Sequence, residues 1–139
     1  MDIEYAYRLL ENEEMPGWLF MPKMGANTIW ESWEGTEAQG GVASLNHYSK
    51  GAVCEWLFSE MCGIKVAENN TYIVAPKVGG SITHASCEYN GIYGKVKSEW
   101  RREEGKTIYK IIVPANVTVK ATLPDGEHTL LSGEYELIV

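Results

Sequence analysis

The sequence predicts an α+β fold in which two N-terminal helices precede an antiparallel β-sandwich. The main observation is a change of period near residue 65. Apolar residues recur at three- and four-residue steps before it and at every second residue after it. The 139 residues are 45% apolar and 22% charged, so the chain can bury enough surface to fold. We therefore predict a helical segment over residues 1–65 and a β-sandwich over 66–139.

A first helix is predicted near the N-terminus. Asp2 is its expected N-cap, because a carboxylate at that position accepts a backbone N–H of the first turn. The helix must end before Met15-Pro16-Gly17, since proline cannot continue the helical hydrogen-bond pattern. Its apolar positions are Ile3, Ala6, Leu9 and Leu10.

A second, longer helix is predicted from a Ser44 cap to Gly63. Its apolar stripe consists of Leu45, Tyr48, Ala52, Trp56, Leu57 and Met61. A second semi-apolar face carries Cys54, Phe58 and Cys62, so more than half of the circumference is fit for burial. Such a helix needs several neighbours. Either the sandwich and a partner subunit cover it, or the chain is the C-terminal part of a longer protein.

The second half of the chain has the alternation of half-buried strands. About six strands are expected, and turn residues separate several of them, at Asn90-Gly91, Glu104-Gly105 and Pro124-Asp125-Gly126. The predicted strands are Tyr72–Ala75, Ser81–Tyr89, Ile92–Trp100, Thr107–Val113, Val117–Leu123 and Tyr135–Val139. This number fits a small antiparallel sandwich.

Charge and cysteine content exclude several classes of function. A net charge of −7 disfavours binding to nucleic acid or to an anionic membrane surface. The sequence has neither a long apolar span nor a basic and apolar leader, so we expect a cytoplasmic protein. Cys54, Cys62 and Cys87 are odd in number and form no CxxC pair, which predicts buried thiols in a reducing compartment rather than disulfides or zinc. We expect no metal and no cofactor.

The residues most suggestive of chemistry lie in the Trp-rich connection between the helices. Trp30 and Trp33 flank Glu31, whereas Glu34 and Glu37 are expected to face solvent. Indole rings can stack on a sugar while a carboxylate orients a hydroxyl or deprotonates water. The alternative is a loop whose tryptophans merely anchor it to the core.

His47 is a second candidate. On a helical wheel it shares a face with Lys50, Gly51, Cys54 and Phe58, and Gly51 leaves room above it for a ligand. The alternative for a single helical histidine is a structural role.

These motifs together resemble the C-terminal region of bacterial α-L-rhamnosidases. The matching segments are NTIWESWEG, SLNHYSKGAVCEWLF and the Pro114-Ala115-Asn116 turn, in the same order and from about Ala6 to Tyr135. The resemblance implies that the two helices are the end of a six-hairpin α/α barrel and that the β half is the C-terminal sandwich. It also implies a rhamnose-containing saccharide as the substrate.

The resemblance assigns roles to individual residues. Glu31 is similar to the general base that activates water in these inverting enzymes. Trp30 and Trp33 resemble walls of the sugar subsite, and His47 resembles a contact to a substrate hydroxyl. Ser32 departs from the family pattern, which usually has arginine there, and Lys50 lies in a segment that is normally less charged.

Inverting hydrolysis requires a second carboxyl as general acid. In the family that acid lies in a segment upstream on the barrel, which has no counterpart in this sequence. The sequence therefore predicts a C-terminal piece that is inactive alone. Two alternatives stay open: a carbohydrate-binding or accessory sandwich whose helices form a dimer interface, and half of a split enzyme that docks on a separate barrel.

Overall fold

Short helical elements come first in the chain and eight strands follow, in a computed structural model that describes residues 2–37 and 43–139. The described residues form two compact units, one up to Cys54 and one from Glu55 to Val139. The predicted α+β class is confirmed.

The first helix, α1, spans Ile3–Leu10. As predicted, Asp2 caps it, and its carboxylate accepts the Glu4 amide at 3.1 Å. The helix ends at Glu11, whose amide donates to the carbonyl of Tyr7. Tyr7 is the residue that α1 buries, whereas Leu9 is exposed, so the buried face is rotated from the predicted one.

The described part of the connection between the predicted helices contains two short helical elements. A single turn, α2, spans Phe20–Lys23 and buries Met21. A 3₁₀ turn spans Gly35–Glu37. Because both are one turn long, they have too few residues to show a helical apolar period in the sequence.

The predicted second helix is shorter and less regular than expected. It consists of α3 (Tyr48–Gly51), α4 (Val53–Trp56) and a π-helical turn (Leu57–Met61). Its N-cap is His47 rather than Ser44. The end at Gly63 is as predicted, and the reason is twofold: its φ is +77°, and a Cβ there would lie 2.2 Å from the nitrogen of Pro76.

The second unit contains two four-stranded sheets. The first sheet has the order β1 (Ile64–Glu68), β2 (Thr71–Val74), β6 (Thr118–Leu123) and β7 (Gly126–Leu130). The second has the order β3 (His84–Gly91), β4 (Gly94–Glu103), β5 (Lys106–Val113) and β8 (Gly133–Ile138). One pairing departs from the antiparallel prediction, since β2 and β6 run parallel. The chain leaves the first sheet after β2 and re-enters it beside β2 in the same direction.

Two of the three predicted turns join paired strands. Glu104-Gly105 links Glu103 to its partner Lys106, and Pro124-Asp125 links Leu123 to its partner Gly126. The third turn, predicted at Asn90-Gly91, lies two residues later in the structure.

Asn90 and Gly91 lie within β3, and the turn residues are Ile92 and Tyr93. A Cβ at Gly91 would lie 2.2 Å from the hydroxyl oxygen of Tyr72. Gly91 therefore allows a close approach of the two sheets, and Ile92, predicted to be in a strand, is 89% exposed.

The core of the second unit lies between the two sheets. Strand β4 alternates as predicted, with Val96, Ser98 and Trp100 buried. Two of these side chains also fix the segment that leads into β1. Trp100 Nε1 donates to the carbonyl of Met61 at 2.8 Å, and Ser98 Oγ donates to the carbonyl of Cys62 at 2.6 Å.

The cysteines follow the prediction in part. Cys62 and Cys87 are buried, but Cys54 is exposed, because the helical turn that carries it does not bury its semi-apolar face. A hydrogen bond with Cys62 is the main reason why the pKa of the Cys87 thiol is raised above its usual value. Over the described ranges, no helix has the length and apolar character needed to cross a membrane.

Candidate functional site

Glu31 and His47 come together because two loop segments of the first unit pair through their backbones. The Glu31 amide donates to the Ser44 carbonyl at 2.8 Å, and the His47 amide donates to the Ile29 carbonyl at 2.8 Å. Thr28 Oγ1 also donates to the carbonyl of Leu45. These bonds hold the Trp-Glu loop against the residues that precede α3.

The Glu31 carboxylate is fixed at one oxygen. Its Oε2 accepts the Ser44 amide at 2.9 Å, while its Oε1 lies 4.0 Å from His47 Nε2. The side chain is 46% exposed. Such a carboxylate is held in one orientation and still accessible to a solvent molecule or a ligand, which is what a general base needs.

His47 is placed by its role as a helix cap. Its Nδ1 accepts the Ser49 amide at 3.2 Å and lies 2.9 Å from Ser49 Oγ. Because Nδ1 accepts a backbone N–H, the neutral ring carries its proton on Nε2, the atom that faces Glu31. The ring stacks on Tyr48, with centroids 4.9 Å apart. His47 precedes the helix as its N-cap rather than lying on the helical face predicted for it, and its contact to a substrate hydroxyl stays a prediction.

Lys50 contacts the Trp-Glu loop from α3. Its ammonium donates to the carbonyl of Glu31 and reaches that of Trp30 at 3.5 Å. The same ammonium lies 4.4 Å from the centroid of the Trp33 ring, within the range of a cation–π interaction. One side chain therefore contacts three residues of the loop, Trp30, Glu31 and Trp33.

The two predicted indoles each pack against a residue of the same unit. Trp33 meets the edge of Trp18, with centroids 5.8 Å apart and planes at 90°. Trp18 Nε1 donates to the carbonyl of Lys50 at 3.1 Å. The Trp30 ring lies against Gly35, where a Cβ would come within 2.6 Å of it. Both rings thus help to hold the loop.

Ser32, which departs from the family pattern, pairs within the loop. Its hydroxyl donates to Glu34 Oε2 at 2.7 Å. This hydrogen bond is the main reason why the pKa of the Glu34 carboxyl is lowered, with a further contribution from the charge of Lys50. Glu34 is exposed, as expected, and it is held as a carboxylate.

Sequence reasoning named Glu31 and His47 but missed the residues that position them. The sequence predicts Ser44 only as a helix cap and shows Gly35 only as part of the NTIWESWEG motif, and Trp18 is not among its candidates. Lys50 was noticed for its charge, which was the available signal. Among the described residues, no group of three or more His, Cys, Asp or Glu side chains is arranged to hold a metal ion.

Comparison with known families places both halves of the chain. Residues 1–61 match the model of the bacterial alpha-L-rhamnosidase 6 hairpin glycosidase domain. Residues 70–137 match the model of the bacterial alpha-L-rhamnosidase C-terminal domain. The two halves of the chain therefore match two domains of bacterial α-L-rhamnosidases. The resemblance drawn from the motifs is confirmed, and the chain matches the C-terminal region of these glycoside hydrolases.

Curated relatives agree with the family models. The chain is 35% identical over 142 residues to an alpha-L-rhamnosidase of Formosa agariphila, a match that covers 97% of this chain and 15% of the relative. It is 30% identical over 128 residues to an alpha-L-rhamnosidase of Streptomyces avermitilis, which covers 87% of this chain and 12% of the relative. The chain thus spans less than a sixth of the length of these rhamnosidases.

Solved structures give the same result. The Streptomyces avermitilis alpha-L-rhamnosidase complexed with L-rhamnose superposes on 98% of this chain and 16% of its own, with a TM-score of 0.86 and 26% identity. A rhamnosidase from Aspergillus terreus covers 98% of this chain and 17% of its own, with a TM-score of 0.87 and 28% identity.

Proposed function

We propose that this chain supplies the water-activating half of an α-L-rhamnosidase active site, with Glu31 as the general base. The observation that carries the proposal is the state of its carboxylate. One oxygen is tied to the Ser44 amide at 2.9 Å, and the side chain remains 46% exposed. The free oxygen can accept a proton from a water molecule without first having to be oriented.

We propose a rhamnose-containing saccharide as the substrate. The related Streptomyces avermitilis enzyme was solved in complex with L-rhamnose. It superposes on 98% of this chain. His47 Nε2 lies 4.0 Å from Glu31 Oε1, too far for a direct hydrogen bond, so the N–H is free to donate to a sugar hydroxyl.

Trp30 and Trp33 complete the proposed subsite as apolar walls. Because each ring is already fixed by a partner in its own unit, little side-chain freedom is lost when a sugar stacks on it.

The general acid is proposed to come from residues outside these 139. Inverting hydrolysis requires one carboxyl to protonate the leaving oxygen and another, roughly 6.5–9.5 Å away, to activate water. The curated rhamnosidases are more than six times as long as their match to this chain, so they have ample sequence to provide it. On this account the chain alone does not hydrolyse rhamnosides.

The first unit has exposed apolar side chains. We propose that they dock on a helical barrel or pair with a second copy of the chain. Tyr48 is 85% exposed, and Met24 and Tyr5 are more than half exposed. Large apolar side chains in such numbers favour a covering protein surface. Nucleic acid and membrane are not proposed partners, and the cytoplasmic location stays a prediction.

The decisive experiment joins this chain to the upstream part of the Streptomyces avermitilis rhamnosidase, in place of the matching C-terminal segment. The chimera is expected to release rhamnose from an aryl α-L-rhamnoside, and the purified 139-residue chain is not. Glu31→Gln should abolish release by the chimera, because the amide keeps the volume but cannot accept the proton.

Glu34→Gln is the matched control, since it makes the same change three residues away on an exposed side chain. Circular dichroism of each variant shows that it is folded. A folded Glu31→Gln chimera with near-normal rates would disprove the assignment of the base. Turnover by the purified chain would disprove the proposal that its active site is incomplete.

A carbohydrate-binding sandwich remains the second candidate function from the sequence. The groove on the first sheet gives it little support, because its lining in the described part of the chain contains no tyrosine or tryptophan. The groove is lined by Ile73, Lys120, Ala121, Thr122, Glu127, His128 and Thr129. Sugar-binding faces usually offer an aromatic ring for stacking. Calorimetry with L-rhamnose on Glu55–Val139, if that segment proves to fold alone, would separate the two functions.

A further inference from the structure

We infer that Lys50 is a positioning residue for Glu31, which gives this active site a cation on the helix that follows the loop. The inference rests on the proposed role of Glu31 as a base and deepens it. Lys50 does not touch the Glu31 carboxylate. It holds the backbone from which that carboxylate extends.

The contacts of the ammonium carry the inference. It donates to the carbonyl of Glu31 and reaches that of Trp30, two neighbouring peptide groups at the turn where the Glu31 side chain leaves the loop. Lys50 is only partly exposed, and hydrogen bonds that involve a charged donor are roughly twice as strong as neutral ones. These bonds fix the direction of the Cα–Cβ bond of Glu31.

Three further contacts make the arrangement specific. The Trp33 ring lies 4.4 Å below the ammonium, and the Trp18 indole donates to the carbonyl of Lys50 itself at 3.1 Å. The Trp18 and Trp33 rings then meet edge to face. Lys50 is therefore held at both its backbone and its head, so its ammonium is a rigid support rather than a mobile surface charge.

The support has a direct structural readout. With the loop in place, Glu31 Oε2 accepts the Ser44 amide at 2.9 Å. If the ammonium is removed, the two loop carbonyls lose their donor, and the carboxylate should move away from that amide. The Trp18 indole bond goes to the backbone of Lys50, so it should survive the loss of the side chain.

The test uses amide and indole NMR spectra of the complete 139-residue chain. Lys50→Met should move the Ser44 amide resonance most of the way to its position in Glu31→Ala, where the acceptor is absent. Lys50→Arg should restore it, because the guanidinium can donate to both carbonyls. The Trp18 indole resonance should stay in place in all three variants.

Lys23→Met is the matched control, because it removes an exposed lysine of the same unit that pairs with Glu13 at 3.4 Å. It should leave the Ser44 resonance unchanged. An unmoved Ser44 resonance in Lys50→Met would overturn the inference. So would a joint movement of the Ser44 and Trp18 resonances, which indicates general structural support, or a Lys50→Arg chain that behaves like Lys50→Met.

A kinetic measurement in the chimera separates this inference from the proposed function. Lys50→Met should lower kcat about a hundredfold, the cost of a misplaced catalytic group, with KM nearly unchanged and recovery in Lys50→Arg. An unchanged kcat would overturn the inference. A chimera inactive even with wild-type Glu31 and Lys50 would count against the proposed function, while the NMR result would still decide the role of Lys50.

Discussion

The carboxylate of Glu31 owes its orientation to a backbone amide and a side-chain ammonium that lie far from it in the sequence. The Ser44 amide that holds it is 13 residues away, and the Lys50 ammonium that supports its peptide group is 19 residues away. The spacing of residues can show that Glu31 lies between two indoles. It cannot show which residues 13 or 19 positions later fold back to contact it. The candidate base was therefore predictable, whereas its support was not.

His47 also shows that the sequence pattern alone does not give the position of a functional side chain. Its place on a helical wheel assumed that the helix begins at Ser44, and the wheel has no meaning for a residue that precedes the first turn. The side chain instead caps α3, since its Nδ1 accepts the Ser49 amide. Histidine is a less common cap than serine or aspartate, which is why the sequence favoured Ser44.

Gly35 is predicted to be indispensable for the position of Trp30. Its φ is +57°, and a Cβ there would come within 2.6 Å of the Trp30 ring. Gly35→Ala should destabilise the chain by more than the roughly 1–2 kcal/mol that a left-handed alanine costs. It should also shift the tryptophan fluorescence.

Gly25→Ala provides the control for that prediction. Its φ is +85°, but a Cβ there meets no heavy atom of the described residues within 4 Å. It should therefore show the backbone cost without the fluorescence shift. Equal effects of the two substitutions in urea unfolding would contradict the proposed contact with Trp30.

Among the elements, the sequence predicts six of the eight described strands and misses the two edge strands of the first sheet. Strand β1 buries only its first residue, and β7 only its last. Both lie at the edges of the first sheet. An edge strand with little burial has no apolar alternation to reveal it, and its identity depends on pairing with a distant neighbour.

Strand β4 is predicted to carry much of the stability of the sandwich through Trp100. Its side chain is completely buried, and its Nε1 donates to the Met61 carbonyl at 2.8 Å. Trp100→Ala should lower the free energy of unfolding by about 3–5 kcal/mol in urea denaturation. Trp100→Phe keeps most of the ring and should lose about 1–3 kcal/mol, because the carbonyl is left without its donor. An alanine variant of wild-type stability would show that Trp100 does not lie in the core.

An ion pair on the outer face of β4 makes the free energy of unfolding depend on pH. Lys97 lies 2.6 Å from Glu99, and this hydrogen bond is the main reason why the pKa of the Glu99 carboxyl is lowered and that of Lys97 is raised. A lowered carboxyl pKa stabilises the folded state above the unfolded pKa, and that contribution is lost as the pH falls through the folded value.

Glu99→Gln should therefore cost about 1 kcal/mol at pH 7 and progressively less as the pH drops below about 4. Urea unfolding across this pH range measures the difference from wild type. Glu127→Gln on the other sheet controls for the loss of one charge. A difference that persists unchanged in acid would rule out the ion pair as its cause.

At the scale of the whole molecule, we propose a division of labour between this chain and the rest of a rhamnosidase. The two family models match its two halves, and the match covers 12–15% of the curated relatives. A net charge of −7 and exposed apolar side chains on the first unit are consistent with contact to protein and sugar rather than to nucleic acid. We propose that the active site is completed across that contact.

The most direct measurement of the central claim is azide rescue of a Glu31→Gly chimera with an activated aryl α-L-rhamnoside. Removal of the carboxylate leaves space on the face where water attacks, and azide needs no base to act as a nucleophile. Azide should restore turnover, and the product should be the β-L-rhamnosyl azide, which has the inverted configuration. Full hydrolysis by Glu31→Gly without azide, or an azide product of retained configuration, would contradict the role of Glu31.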